Sequence, residues 1–309
     1  MSSKIIGVFE IFDDRFLRLV STTATLHLLH TGLTWSEGPT YFPALRSVLF
    51  SDVAENRLLR YDECNGQTSI FRSPSNNSNG NTVDRQGRLI TCEQQTRRVT
   101  RTEHDGTITV LVDRNTNGQR FNSPNDVVVR SDGSIWFTDP TYGIDTDYEG
   151  DRGVSEIGAN YVYCLKNGNL HVVATDFEQP NGLAFSPDEQ RLYIADTGRS
   201  HRPDGPAHIR VFDVGDDEIS LTGGQIFAEC STGIFDGFRM DTDGHLWTSA
   251  GQGVSCYDGN TGILLGRIRV PEIVGNVCFG GGVKRNVLYI CATTSLYSIR
   301  LGVNGCKTL

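Results

Sequence analysis

The sequence predicts an all-β protein, a single six-bladed β-propeller spanning residues 1–309 with a metal site on its axis. Three observations carry this expectation. Thirty-four glycines, frequent Asn and Asp turns and short β-branched runs describe strands joined by hairpins rather than helices. One pattern recurs six times along the chain. Each copy begins on Glu, Asp or Asn.

The six copies are EGPTYFPALRSVLFSD from Glu37, NGNTVDRQGRLITCEQ from Asn79, NDVVVRSDGSIWFTDP from Asn125, NGLAFSPDEQRLYIADT from Asn181, DGFRMDTDGHLWTSA from Asp236 and NVCFGGGVKRNVLYICAT from Asn276. Each is a short apolar strand, a turn and a second apolar strand. Gly87, Gly133 and Gly244 occupy the turn in the second, third and fifth copies, and SPDEQ supplies it in the fourth. Intervals of about 40 to 55 residues between copies suit blades of four strands, the outer pairs coming from stretches such as NYVYCLKNGNLHVVAT. The sixth copy lies too near the end for a full blade, so ATLHLLHTG, ahead of Glu37, is expected to supply its outer strand and close the ring.

Composition sets the outer limits. A chain of 309 residues, 38% hydrophobic, can bury about three quarters of its unfolded surface. A net charge of −9 without a Lys/Arg cluster excludes a nucleic-acid partner. No apolar run reaches the ~20 residues of a membrane span. The first twenty residues are broken by Glu10, Asp13, Asp14 and Arg15 and do not read as a signal peptide, so a cytoplasmic protein is expected, a monomer or weak homo-oligomer. Eight scattered cysteines without a CxxC pair suggest neither a zinc ribbon nor a redox motif.

In a propeller the first strand of each blade lines the axis. Glu37, Asn79, Asn125, Asn181, Asp236 and Asn276 should therefore ring one mouth of the channel. Turn chemistry alone favours Asn and Asp at strand starts, but it would equally admit Ser, Gly and Thr and has no use for Glu37. Converging hard oxygen donors describe a Ca2+ or Mg2+ site rather than a His- or Cys-based zinc site.

The stretches WSEGPTYF, NSPNDVVV, QPNGLAFS and FDGFRMDTDGHLW, in this order, resemble the motifs of the SMP-30/gluconolactonase/LRE-like family along nearly the whole chain. The resemblance implies lactone hydrolysis with one divalent metal ion held by Glu37, Asn125, Asn181 and Asp236, and it makes Asp236 the catalytic proton acceptor and donor. Ca2+ is the first expectation for the metal, with Mg2+, Mn2+ and Zn2+ as alternatives. Where regucalcin-like members carry Arg-Phe-Asn, this chain has Ser123-Pro124-Asn125, and WFTDPTYG with its long following loop is similar to the bacterial gluconolactonase branch. Asn125 and Asp139 are the candidate substrate contacts, and a neutral, hydroxyl-rich sugar lactone of the gluconolactone kind is the expected substrate. The competing readings are a phosphoester or organophosphate hydrolase of the same fold, and a non-catalytic calcium-binding platform.

Weaker signals remain. DTDYEGDRGVSE puts Asp145, Asp147, Glu149, Gly150 and Glu156 at EF-hand spacing. Arg152 stands at a usually apolar position and Pro140 blocks an entering helix, which turns the reading toward an acidic rim or lid. Asp139 and Asp196, after the second strands of their blades, are carboxylates that either assist Asp236 or hold turns. Arg199 and His201 lie in a loop that reads as exposed, with substrate contact as the alternative.

Overall fold

A computed structural model describes residues 3–251 and 253–306. Six antiparallel sheets stand around an axis. The first blade is built in chain order from Ser36–Phe42, Ser47–Asp52, Arg57–Asp62 and Gln67–Arg72, and the second, third and fourth repeat this meander. Their innermost strands are Ser78–Val83, Val127–Val129 and Pro180–Phe185.

The last two blades draw on the N-terminal segment. In the sixth, Val274–Gly280, Val287–Ala292 and Ser295–Arg300 are joined by His27–Thr31, which pairs antiparallel with Ser295–Arg300. The fifth blade runs from Phe238–Met240 outward through His245–Ser249, Gly253–Asp258 and Leu264–Arg269, and is then extended by Phe9–Ile11 and Lys4–Ile6. This second addition leaves no motif in the sequence, because its strands are only three residues long. What fixes them is packing. Between hairpin and closing strand a short 3-10 helix, Asp14–Arg18, buries Phe16 completely against Phe9 and Trp247, with ring centroids 6.1 and 5.9 Å away. Gly266 makes room for that ring: a Cβ there would stand 2.2 Å from it.

The inner strands Ser36–Phe42, Ser78–Val83 and Val274–Gly280 are buried on both faces almost throughout, since neighbouring blades cover them. At the axis the strands approach more closely than side chains allow. A Cβ on Gly182 would sit 2.1 Å from the Asp236 carbonyl, and one on Gly80 2.4 Å from the Asn125 carbonyl. The glycine after a ring residue is thus the seat for the backbone of the next blade's ring residue. The Gly80 N–H turns this approach into a bond, donating to the Asn125 carbonyl at 2.7 Å.

Docking of the N-terminal segment is measurable. Phe16→Ala should cost about 3–5 kcal/mol in a urea melt, as expected for emptying an aromatic core site, while Ile5→Ala, at a 58% exposed position, should change stability by less than about 0.5 kcal/mol. Equal effects of the two would mean that the segment does not hold the blades together.

Candidate active site at the axial mouth

Five of the six ring residues meet. Glu37, Asn79, Asn125, Asn181 and Asp236 line one cavity of about 100 Å3, together with Trp35, Tyr142, Glu149 and Ile234. Glu37 and the three asparagines are buried, whereas Asp236 and Glu149 keep part of their surface open to the cavity. Asn276 is the exception. It lies beneath the ring, against Gly237, where any Cβ would strike its amide, and stands beside the Glu37 carboxylate.

Local clamps hold these strand starts. Asp52, at the end of a second strand, accepts from the backbone N–H groups of Thr34 and Trp35, both at 3.0 Å, just ahead of Glu37. Asp139 does the same for Asn122 and Ser123, each at 2.9 Å, ahead of Asn125. Asp196 accepts from Glu178 and Gln179, at 3.0 and 2.9 Å, ahead of Asn181. In the fifth blade Ser249 Oγ accepts directly from the Asp236 N–H at 2.7 Å. Asp139, expected as a substrate contact, is therefore outside the cavity lining, with both oxygens committed to backbone. Burial pushes its carboxyl up to about 7 despite those two donors.

A lid follows Asp139. Ser123, standing where the regucalcin pattern has arginine, donates to the Pro140 carbonyl at 2.6 Å and accepts from the Gly143 N–H at 2.9 Å. It thereby ties down the short helix Tyr142–Asp145. Tyr142 reaches blade 4 through Thr197 and Ser200, at 2.5 and 2.8 Å. The EF-hand-like residues disperse: Asp145 contacts His201 Nε2 at 2.6 Å, Asp147 accepts from the Arg152 N–H, Glu156 from the Arg120 N–H, and Glu149 enters the cavity. His201 thus anchors the lid, and Arg199 donates to the Cys230 carbonyl.

Residue-by-residue reasoning left out Trp35 and Ile234. Each stands two positions before a ring residue, in the irregular segment that leads into the inner strand. That signal was available in WSEG and IFDG.

Electrostatically the cavity is one-sided. None of its lining residues is cationic. Burial pushes Glu37 up to about 8. Asp236 is driven well above the carboxylate range by loss of water and then by the charges of Glu37 and Glu149, and loss of water takes Glu149 up to about 7. Two buried oxygens on the cavity residues, Glu37 Oε1 and Asn181 Oδ1, accept no hydrogen bond from the described residues. Such oxygens are costly to leave unmatched. Among the described residues no group of three or more His, Cys, Asp or Glu forms a metal cage. The donor set here is mixed, two ring carboxylates with amide oxygens, and it fits a hard divalent cation.

The chain matches the family described as SMP-30/Gluconolactonase/LRE-like region over residues 35–294. It is 28% identical to a gluconolactonase of Zymomonas mobilis subsp. mobilis, the alignment covering 97% of this chain and 88% of that protein. Its fold superposes with TM-score 0.88 on the solved structure of a gluconolactonase from Xanthomonas campestris, 35% identical over 97% of each chain. At 20% identity, the calcium-binding protein regucalcin from Agrobacterium tumefaciens shares the fold, with TM-score 0.72, covering 92% of this chain and 95% of that one.

The raised carboxyls give a pH signature. A group whose folded pKa lies above its unfolded value holds its proton more tightly in the native state, so stability falls as pH rises between the two values. For Glu37 this window runs from near 4.5 to about 8. The metal-free protein should lose melting temperature from pH 5 to pH 8, and saturating Ca2+ should flatten most of that loss. A metal-free melting temperature that rises across this range would contradict the arrangement.

Proposed function

Because the chain belongs to the SMP-30/gluconolactonase/LRE-like family, we propose that it hydrolyses a sugar lactone, a gluconolactone-like aldonolactone, to the aldonic acid in this cavity. The observation that carries the assignment of the site is the pair of unmatched buried oxygens, Glu37 Oε1 and Asn181 Oδ1, in a cavity with two ring carboxylates and no cationic side chain. Glu37, Asn125, Asn181 and Asp236 would hold one divalent cation, Ca2+ in the first place. When bound, such a cation supplies Lewis acidity for the lactone carbonyl and lowers the pKa of water. Its charge would also bring Glu37 and Asp236 back toward the carboxylate form.

The remaining work falls to side chains. Asp236, open to the cavity and seated by its N–H on Ser249, accepts the proton of the attacking water. As the acyl–oxygen bond of the ring breaks, the same carboxyl returns a proton to the departing ring oxygen, and the acid is formed with the ring opened. Trp35 and Ile234 provide apolar surface for the C–H faces of the sugar, while Glu149 and Tyr142, from the lid, offer partners for its hydroxyls. Asp139 takes the part of a positioning residue for Asn125 through its grip on Asn122 and Ser123. A site built to satisfy hydroxyls rejects analogues that lack them. All eight cysteines are free, which accords with a reducing, cytoplasmic location.

Proton release from gluconolactone, a long-chain aliphatic lactone and a phosphotriester, each with and without EDTA, tests this reading. Gluconolactone should give the highest kcat/KM, EDTA should abolish it, and Asp236→Asn should lower it by about 10^2–10^4, the range for a lost general base. Wild-type turnover by Asp236→Asn, or a preference for the aliphatic lactone or the phosphotriester, would defeat the assignment.

A further inference from the structure

The axial channel has a second mouth. Inner strands that begin at the ring end at a cavity of about 120 Å3, which shares no residue with the first. Every blade contributes to it about three or four residues beyond its ring residue, as with Tyr41, Thr82, Val129, Phe185, Met240 and Phe279. The walls are thus largely apolar. Three arginines, Arg85, Arg239 and Arg285, and a single acid, Glu189, complete the lining.

Two of these guanidinium groups are only partly used. Arg239, with its side chain 16% exposed, spends Nη1 on the Phe238 carbonyl at 2.7 Å and on the buried carboxylate of Asp126 at 3.3 Å. Its Nε and Nη2 donate to nothing among the described residues, and these two form the edge that takes a carboxylate in a bidentate manner. Arg85 touches Glu189 through Nη2, at 3.5 Å, and its buried Nε has no partner among the described residues. Glu189 is meanwhile engaged by the N–H of Ser131 at 2.8 Å, by the hydroxyl of the same serine and by Arg130 at 3.6 Å. It cannot neutralise the arginines on its own. Guanidinium donors without acceptors are rare in folded proteins, and here both residues line the cavity.

From these features we infer that the second mouth is a binding site for a small amphipathic monoanion, a carboxylate on a short apolar stem. The carboxylate sits on the free edge of Arg239, with the Arg85 guanidinium adding its charge from the same cavity, and the stem lies against Val129, Phe185, Met240 and Phe279. A cavity of about 150 Å3 holds a benzene ring, so the space here suits a stem of roughly three to five carbons. The apolar walls offer little to a polyhydroxy acid, which sets this ligand apart from the product of the proposed reaction. The inference does not rest on the lactone reading, because no residue of the first cavity takes part.

Isothermal titration calorimetry at fixed ionic strength, with butyrate as probe and butyramide and gluconate as controls, tests the site. Wild-type protein should bind one butyrate saturably and bind butyramide and gluconate at least about tenfold more weakly, the loss expected when a charge-assisted contact or an apolar fit is removed. Arg85→Gln should weaken butyrate by a similar factor, Val129→Trp should abolish binding by filling the cavity, and Asp236→Asn should leave it unchanged. No saturable binding to the wild type, equal affinity for butyramide or gluconate, full affinity in Arg85→Gln, or loss in Asp236→Asn would each overturn the proposal. If Val129→Trp does not fold, as judged by its melting curve, Arg85→Gln and the neutral probe still separate a specific anion site from none.

Discussion

Two ring carboxylates, Glu37 and Asp236, share one small cavity with Glu149 and no positive side chain, and most of the architecture is arranged around that repulsion. Left alone, the groups would take up protons or push apart. They do the first, Glu37 rising to about 8 and Asp236 well above the carboxylate range, but they are kept from moving apart, because each sits at the start of an inner strand whose neighbours hold it on both sides. Glycines let adjacent backbones close to contact distance, and Asp52, Asp139 and Asp196 fix the approach to three of the ring positions with paired backbone hydrogen bonds. The carboxyls are thereby held in a rigid frame, where an entering cation would displace their protons and meet ligands already in place.

Much of this was legible in the sequence because it repeats. The strand–turn–strand copies fixed the number of blades, and a Glu, Asp or Asn at each copy's start located the ring. Trp35 and Ile234 share a place two residues ahead of a ring position, which WSEG and IFDG display. Legibility ended where periodicity ended. Glu149 stands in a loop with EF-hand spacing, yet the chain there breaks into separate contacts, because Gly143 wedges against Ser123 and Gln94 and Gly150 folds back on Gly143. The retreat of Asn276 beneath the ring follows from the missing side chain of Gly237, a packing fact that no single position announces. Asp139 had the right chemistry for a substrate contact, but its place after a second strand gave both oxygens to backbone donors.

The channel also carries a polarity along its axis. Carboxylates gather at one mouth and arginines at the other, and the buried pair Asp126–Arg239 stands between them. Asp126 adds its charge to the field felt by Glu37 and Asp236, while Arg239 faces the opposite cavity. A net charge of −9 is thus distributed with a pronounced local exception. Such an arrangement would let one fold carry the proposed cation site and the proposed anion site on a single axis without either neutralising the other.

The central claim, that the ring is a cation site made of Glu37, Asn125, Asn181 and Asp236, is tested most directly by calorimetric titration of the chelator-treated protein with Ca2+ in two buffers of different ionisation enthalpy. One Ca2+ per chain should bind near pH 7 with net release of protons from the raised carboxyls, and Glu37→Gln should weaken binding by at least about a hundredfold as one ligand charge is lost. Binding without proton release, or with undiminished affinity in Glu37→Gln, would contradict it.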